Sequence, residues 1–321
     1  MAFYSPIQAM EQFLIQLVGR LEREGHDGLS DHLSITWLRY CASARQPAAT
    51  AKGGDVWALP VSGASWRGSQ RFDPAHMVQL FYLVAAEAWQ QRQLISTGPE
   101  LRRALAAMAR TSSHEATGLI VDLLSGTTSG PSLPDGRFQP WAHQRQLVND
   151  WLAGLDWKEL QSCNVCQKTW GDSPYGRERD FFGPAMENRN RLSTDATARM
   201  LHAVIAGGIC SPPACGRLRE LLLCQPDRSE RATHRPGREG GLIRKRGFIA
   251  DGLPSDAQVW GKSGWSFAAR HDAAYVEVEG ACPFLVVVFS EGERCALDLT
   301  LLPSIASAIV RGCSQSSFQD S

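Results

Sequence analysis

Between Phe72 and Ala86 the chain reads Phe-Asp-Pro-Ala-His-Met-Val-Gln-Leu-Phe-Tyr-Leu-Val-Ala-Ala. Pro74 suits the first turn of a helix, where its missing N–H would have no partner in any case. From Met77 onward the segment is apolar nearly all round, through Leu80, Phe81, Leu83, Val84 and Ala85. A helix with so little polar face is buried on every side. The stretch therefore predicts a central rod around which the rest of the chain packs. His76 and Gln79 stand one turn apart at its head.

The flanking sequence predicts what surrounds the rod. Ser5-Pro6 reads as a cap and first-turn proline. Ile7, Met10, Leu14, Leu17, Val18 and Leu21 then mark one face of a helix that Gly25 and Gly28 end. Leu33–Tyr40 and Val56–Val61 read as two strands joined by a small-residue loop. Helices are expected over Glu100–Arg110, Glu115–Leu124 and Trp141–Leu155, then from Ser193 or Thr194 to Ala206, and over Pro212–Cys224. Ser125–Pro140 is rich in Gly, Ser and Pro and reads as loop. Asp156–Asn190 has no sustained period; an irregular stretch of that length is functional or mobile. Gln258–Trp260, Ser266–Arg270, Ala274–Glu279 and Phe284–Ser290 read as strands, and Leu299–Val310 as a closing amphipathic helix. The strands thus come from both ends of the chain. The fold class expected is α/β (α+β): an antiparallel sheet flanked by helices, built from residues 1–70 and 216–321, with 71–215 inserted as a helical subdomain.

Composition narrows the function. The chain has 33 basic and 33 acidic residues and a formal net charge of zero, so nothing global points to nucleic acid or a membrane surface. No apolar run is long enough to cross a bilayer. Met1–Leu21 lacks a basic start and is interrupted by Gln8, Glu11, Gln12 and Gln16, unlike a signal peptide. Nine irregularly spaced cysteines read as reduced thiols of a cytoplasmic protein. Cys163-Asn164-Val165-Cys166 is an isolated C-x-x-C, and with Cys210 and Cys215 it offers a four-thiolate alternative. Gln225–Arg246 is arginine-rich and reads as an exposed insertion, with a phosphate-binding patch as its rival.

Four stretches carry a resemblance. The buried helix opens with His76 and Gln79. Ser112-Ser113-His114-Glu115-Ala116-Thr117 follows. Asn188 to Arg199 reads Asn-Arg-Asn-Arg-Leu-Ser-Thr-Asp-Ala-Thr-Ala-Arg. Lys262-Ser263-Gly264 stands among the last strands. Together they resemble the class A β-lactamases and penicillin-recognising serine hydrolases over almost the whole length. That family has Ser-x-x-Lys at the head of the helix, then Ser-Asp-Asn, then Lys-Thr-Gly. The resemblance implies a β-lactamase-like fold. It places His76 at the nucleophile, Gln79 at the base, Ser112 at the proton-relaying hydroxyl and Lys262 at the substrate-facing cation. His114, Ser263, Gly264 and Trp265 then line the binding cleft, with main-chain N–H groups at His76 and Trp265 forming an oxyanion hole. Glu178, or Glu187, occupies the place of the water-activating glutamate; Arg177 and Arg179 offer Glu178 an ion pair instead. For Ser112-Ser113, a helix cap is the competing reading.

The departures decide the chemistry expected. Histidine cannot form the stable acyl ester of a serine, and glutamine cannot take up a proton near neutral pH. Lys52, Lys158, Lys168, Lys245 and Lys262 are the chain's lysines, and none follows a serine by three residues. The first expectation is a homologue without serine acyl transfer that keeps a polar cleft for a small carboxylate or peptide-like ligand, with no cofactor. The second is a hydrolase of amide, ester or β-lactam bonds using Ser69, Ser112 or a metal held by His76, His114 and Glu178. A third is an interaction protein that uses residues 228–246 or the loop 156–190.

Overall fold

The computed structural model describes residues 3–45, 61–224 and 246–313. Seven strands form one sheet among these: Ser5–Pro6 (β1), Leu33–Tyr40 (β2), Val61–Trp66 (β3), Leu223–Cys224 (β4), Gln258–Ser266 (β5), Ala269–Glu277 (β6) and Phe284–Glu291 (β7). Their order is β1-β3-β2-β7-β6-β5-β4. Only β1 and β3 run parallel. Strands from the two chain ends meet where β2 pairs with β7, Thr36 opposite Val287. The uninterrupted apolar run of β7 suits that central place, since both its faces are covered.

The alternation along β7 divides the core in two. Val286 and Val288 face Met10, Leu14 and Leu17 of α1 (Gln8–Arg23), which the short α2 (Leu29–His32) follows, and Ile305 and Ile309 of α12 (Leu301–Cys313). Leu285, Val287 and Phe289 face the opposite layer. That layer holds α3 (Val78–Gln91), α4 (Pro99–Arg110), α5 (His114–Ser125), α9 (Thr194–Ala206) and α10 (Pro212–Leu222). Every residue of α3 from Val78 to Trp89 is buried, as its apolar circumference requires.

Several boundaries differ from expectation for identifiable reasons. Ser5-Pro6 is not the cap: it pairs with Ser62 and Gly63 at the sheet edge, and Ile7 is the N-cap residue of α1. Proline is tolerated there because an edge strand has no need of its N–H. The second strand is β3, beginning at Val61; residues 56–60 lie outside the described residues. α6 (Asp135–Arg145) occupies part of the expected loop, and a break at Gln146 separates it from α7 (Leu147–Ala153). Inside 156–190, α8 (Arg177–Phe182) forms a short turn of helix, and α11 (Glu293–Leu297) precedes α12. Gln258–Trp260 is only the start of β5, which runs on through Gly261, Ser263 and Gly264 because β6 pairs with it at every residue from Gln258 to Ser266; Ser266–Arg270 is not a strand but spans the turn from β5 into β6. Of the arginine-rich segment, residues 225–245 lie outside the described residues.

Candidate active-site cleft

The head of α3 is seated on two strands. Ala75–Met77 forms a 3-10 turn before the helix. Gly264 of β5 lies beneath it, and a Cβ there would stand 3.0 Å from the Met77 nitrogen and 3.1 Å from the Pro74 carbonyl. Across the ladder from Gly264 is His271. Its Nδ1 accepts from the Ser290 N–H at 3.1 Å, so its Nε2–H donates to the Asp73 carbonyl at 2.8 Å. Burial pushes this imidazole down to about 4, which keeps it neutral in that role. Arg189 holds the Asp73 carboxylate through a 2.6 Å bond from Nε. Ala75, immediately before His76, has a φ of +46°, a left-handed conformation that costs a β-carbon residue about 1–2 kcal/mol. Strain of that kind is sustained where the surroundings over-determine it.

His76 meets His114, the first residue of α5, with the two Nε2 atoms 3.4 Å apart and the ring centroids 5.0 Å apart. Both rings are partly exposed. A hydrogen bond between the two Nε2 atoms has one ring donating and the other accepting, the roles being set by the tautomers. Gln79, one turn on, is fully buried and donates to the Thr117 hydroxyl at 2.7 Å. Thr117 in turn donates to the Ser113 carbonyl at 2.7 Å. Gln79 is thus committed to α5, and its Oε1 has no hydrogen-bond partner among the described residues.

Ser112 and Ser113 divide two tasks. Ser113 caps α5, accepting from the Ala116 N–H at 3.1 Å. Ser112 has a φ of +57° and presents its hydroxyl to Lys262, whose Nζ donates to it at 2.7 Å. Lys262 also donates to the Ser263 carbonyl at 2.9 Å and is 3% exposed. The site is therefore a closed triangle. β5 touches the turn before α3 at Gly264 and the turn before α5 at Lys262, and those two turns touch through His76 and His114.

Glu178 is fully buried in an ion network. One of its oxygens accepts from Arg145 at 2.6 Å, the other from Ser129 at 2.8 Å, with Lys168 at 3.6 Å. Lys168 also holds Asp122, at 2.8 Å. The partner is Arg145, not the flanking Arg177 or Arg179, and both carboxylate oxygens are engaged. Glu187 is exposed and accepts from the Ala185 N–H.

The sequence profile of the β-lactamase enzyme family matches residues 95–312. The chain belongs to the β-lactamase enzyme family. No curated protein matches it. Among solved structures it is similar to PBP-A, with 14% identity over 96% of this chain and 97% of that one and a TM-score of 0.59. A β-lactamase from Sphaerobacter thermophilus shares 16% identity, covering 94% of each chain, with a TM-score of 0.58. A β lactamase from Burkholderia vietnamiensis shares 16% identity over 97% of this chain and 98% of that one, with a TM-score of 0.57. These likenesses show the β-lactamase fold. The matched profile covers Ser112, His114 and Lys262 but begins after His76 and Gln79.

Within this β-lactamase-family cleft, the expected metal set is not assembled: among the described residues no group of three His, Cys, Asp or Glu side chains is placed to hold an ion. Glu178 is bound to Arg145 rather than to His76 and His114. The four-thiolate reading fails in the same way. Cys166 gives its Sγ contacts to Asn164 and Asn188, Cys215 to the Cys210 carbonyl, and burial pushes the Cys166 and Cys210 thiols up to about 12. Ser69 is exposed in the turn after β3. The Trp265 indole donates to the Ala296 carbonyl at 3.1 Å, while its main chain continues β5 past Gly264. Ser263 gives its carbonyl to Lys262. A hollow of about 440 Å³ lined by Asn149, Leu152, Trp157 and Leu160 shares no residue with the cleft.

Two residues escaped sequence reasoning. His271 fell in the polar gap between two expected strands, and only the ladder reveals it beneath the turn. Arg145 read as one more charge on a helix. His271 is a polar side chain in an otherwise buried strand, whereas Arg145 is one of only two buried residues of the mostly exposed α6, so nothing local marks it out; in both cases the partner lies too far along the chain to be named.

Proposed function

We propose that this β-lactamase-family protein lacks serine acyl-transfer chemistry and uses its cleft to bind a small carboxylate or peptide-like ligand. The observation that carries this reading is the contrast between its two halves. The cation–hydroxyl pair Lys262–Ser112 is joined at 2.7 Å, while the head of α3 carries an imidazole and a buried amide bonded to Thr117. An acyl enzyme needs an oxygen nucleophile and a base to take its proton; an amide cannot serve as that base. A buried ammonium with an adjacent hydroxyl suits an anionic ligand. Nine free cysteines support a reducing compartment, and we place the protein in the cytoplasm. No helix among the described residues is long and apolar enough to cross a membrane.

The test is intact-protein mass spectrometry after incubation with a reactive penicillin, run beside His76→Ser/Gln79→Lys. The expected result is no adduct on the natural chain and acylation of the double variant. An adduct on the natural chain overturns the reading and favours a hydrolase with another nucleophile, mapped first at Ser112.

A further inference from the structure

The hollow of about 440 Å³ that shares no residue with the cleft has the volume of a small-molecule site. It lies where α7 ends and the chain passes into a 3-10 turn, Lys158–Leu160. Part of its wall is apolar: Leu152, Trp157 and Leu160 line it and are buried. The charged residues of the lining are Asp150, on α7, and Asp156, in the turn that follows. Both are exposed, and among the described residues neither carboxylate enters an ion pair or a side-chain hydrogen bond. Asn149, also in the lining, is fully engaged: its Nδ2 donates to Gln146 and Asn164 at 2.6 Å each, and its Oδ1 accepts from the Val165 N–H at 2.7 Å. Cys163 brings no charge, since burial pushes its thiol up to about 11. Two cations adjoin Trp157. Arg199 lies over the indole, 4.5 Å from the ring centroid, and is ion-paired with Glu159. Lys158 is exposed and does not line the hollow.

We infer that this hollow is a second binding site, for an organic cation: an ammonium group set against Asp150 and Asp156, carried on a compact apolar body that packs on Leu152, Trp157 and Leu160. Two carboxylates with no basic residue beside them in the lining attract a cation and repel an anion. The carboxylate class of ligand proposed for the cleft is therefore disfavoured here. The apolar wall separates an organic cation from an inorganic one. An apolar body gains by leaving water against buried Leu152 and Leu160, whereas a metal ion gains nothing from them and finds no set of three ligating side chains among the described residues. The Trp157 indole adds to the preference, because its ring face attracts positive charge and already carries the Arg199 guanidinium. The pairing of Arg199 with Glu159 offsets the repulsion that this guanidinium would otherwise exert on a second cation.

The experiment is a chemical-shift titration of the full chain by NMR, with the Trp157 indole N–H, assigned through Trp157→Phe, as the reporter in the hollow. The probes are phenethylammonium, phenethyl alcohol and hydrocinnamate, which share a phenyl body and differ in charge. At about pH 7 the ammonium and the carboxylate are both ionised. Phenethylammonium is expected to bind at least about tenfold tighter than the alcohol, hydrocinnamate more weakly than either, and the preference to shrink as salt is raised. Asp150→Asn and Asp156→Asn each lose about three- to tenfold for the ammonium and leave the alcohol within about twofold. Ala153→Lys, which sets a cation in the lining at the end of α7, removes the preference. All three substitutions fall at exposed positions, and circular dichroism confirms that each variant is folded. Equal affinities for the ammonium and the alcohol, an ammonium affinity unaltered by the three variants, or an ammonium that leaves the Trp157 signal unmoved overturns the inference.

Discussion

The Lys262 ammonium donates a 2.7 Å hydrogen bond to the Ser112 hydroxyl, joining residues 150 positions apart in the chain. The bond fastens β5 to the turn before α5 and fixes one corner of the cleft. Lys262→Met removes the donor from the buried Ser112 Oγ and from the partly buried Ser263 carbonyl. Unfolding in urea is expected to show a loss of about 1–3 kcal/mol. Unchanged stability would mean that the ammonium matters for ligand alone.

Glu178 and Arg145 test the role of the loop. Both side chains have no exposed surface and meet at 2.6 Å. Glu178→Gln leaves Arg145 buried without its full counter-charge and is expected to cost about 3–5 kcal/mol, seen as a large fall in the urea midpoint. A carboxylate serving only to activate water would be replaceable with little change in stability.

Gln79 has a buried oxygen with no hydrogen-bond partner among the described residues. Gln79→Met removes that atom together with the 2.7 Å bond to Thr117, whose own hydroxyl still reaches the Ser113 carbonyl. An orphaned acceptor costs about 1–3 kcal/mol and the lost bond contributes about 1, so stability is expected to hold or rise slightly. A marked fall in the melting temperature would show that the amide oxygen has a partner in solution.

Gly264→Ala forces a methyl against backbone: its Cβ would stand 3.0 Å from the Met77 nitrogen. The turn carrying His76 must shift, at an expected cost of about 1–3 kcal/mol, partly offset by the lower chain entropy of alanine when unfolded. Thermal melting reads the stability.

Two buried histidines set the acid dependence. His202 stacks on Tyr40, with Nδ1 3.0 Å from its hydroxyl, and burial pushes His202 and His271 each down to about 4 from 6.5. As pH falls below about 6.5 the unfolded chain binds protons at these positions and the folded chain does not. The unfolded state therefore gains, and stability falls with pH through the window from 6.5 to about 4, by on the order of 1 kcal/mol per pH unit for each histidine. Urea unfolding at several pH values in that window measures the slope. His202→Phe is expected to reduce it by roughly half, whatever its effect on stability at neutral pH.

Much of the framework was legible in the sequence because its causes are local. The apolar circumference of Val78 to Trp89 dictated a buried helix. Ser113 before Glu115 dictated a cap, and β-branched runs dictated β2 and β7. Three of the four family-like stretches hold residues that the structure brings together, His76 with His114 and Ser112 with Lys262. Local reasoning failed where a partner overrode propensity: Gly261 and Gly264 sit inside a strand because β6 supplies the ladder, and Ser5-Pro6 pairs with β3 instead of capping α1.

The sequence by itself determined that the head of α3 carries a histidine and a glutamine, His76 and Gln79, since that is a matter of residue identity. Only the tertiary structure decided what these two side chains meet. His76 finds His114, Gln79 finds Thr117, and Glu178 finds Arg145 across gaps of 38, 38 and 33 residues. Helix and strand periodicities are written in neighbouring side chains, whereas these pairings depend on how whole elements pack against one another. No local pattern encodes which polar groups that packing brings within reach.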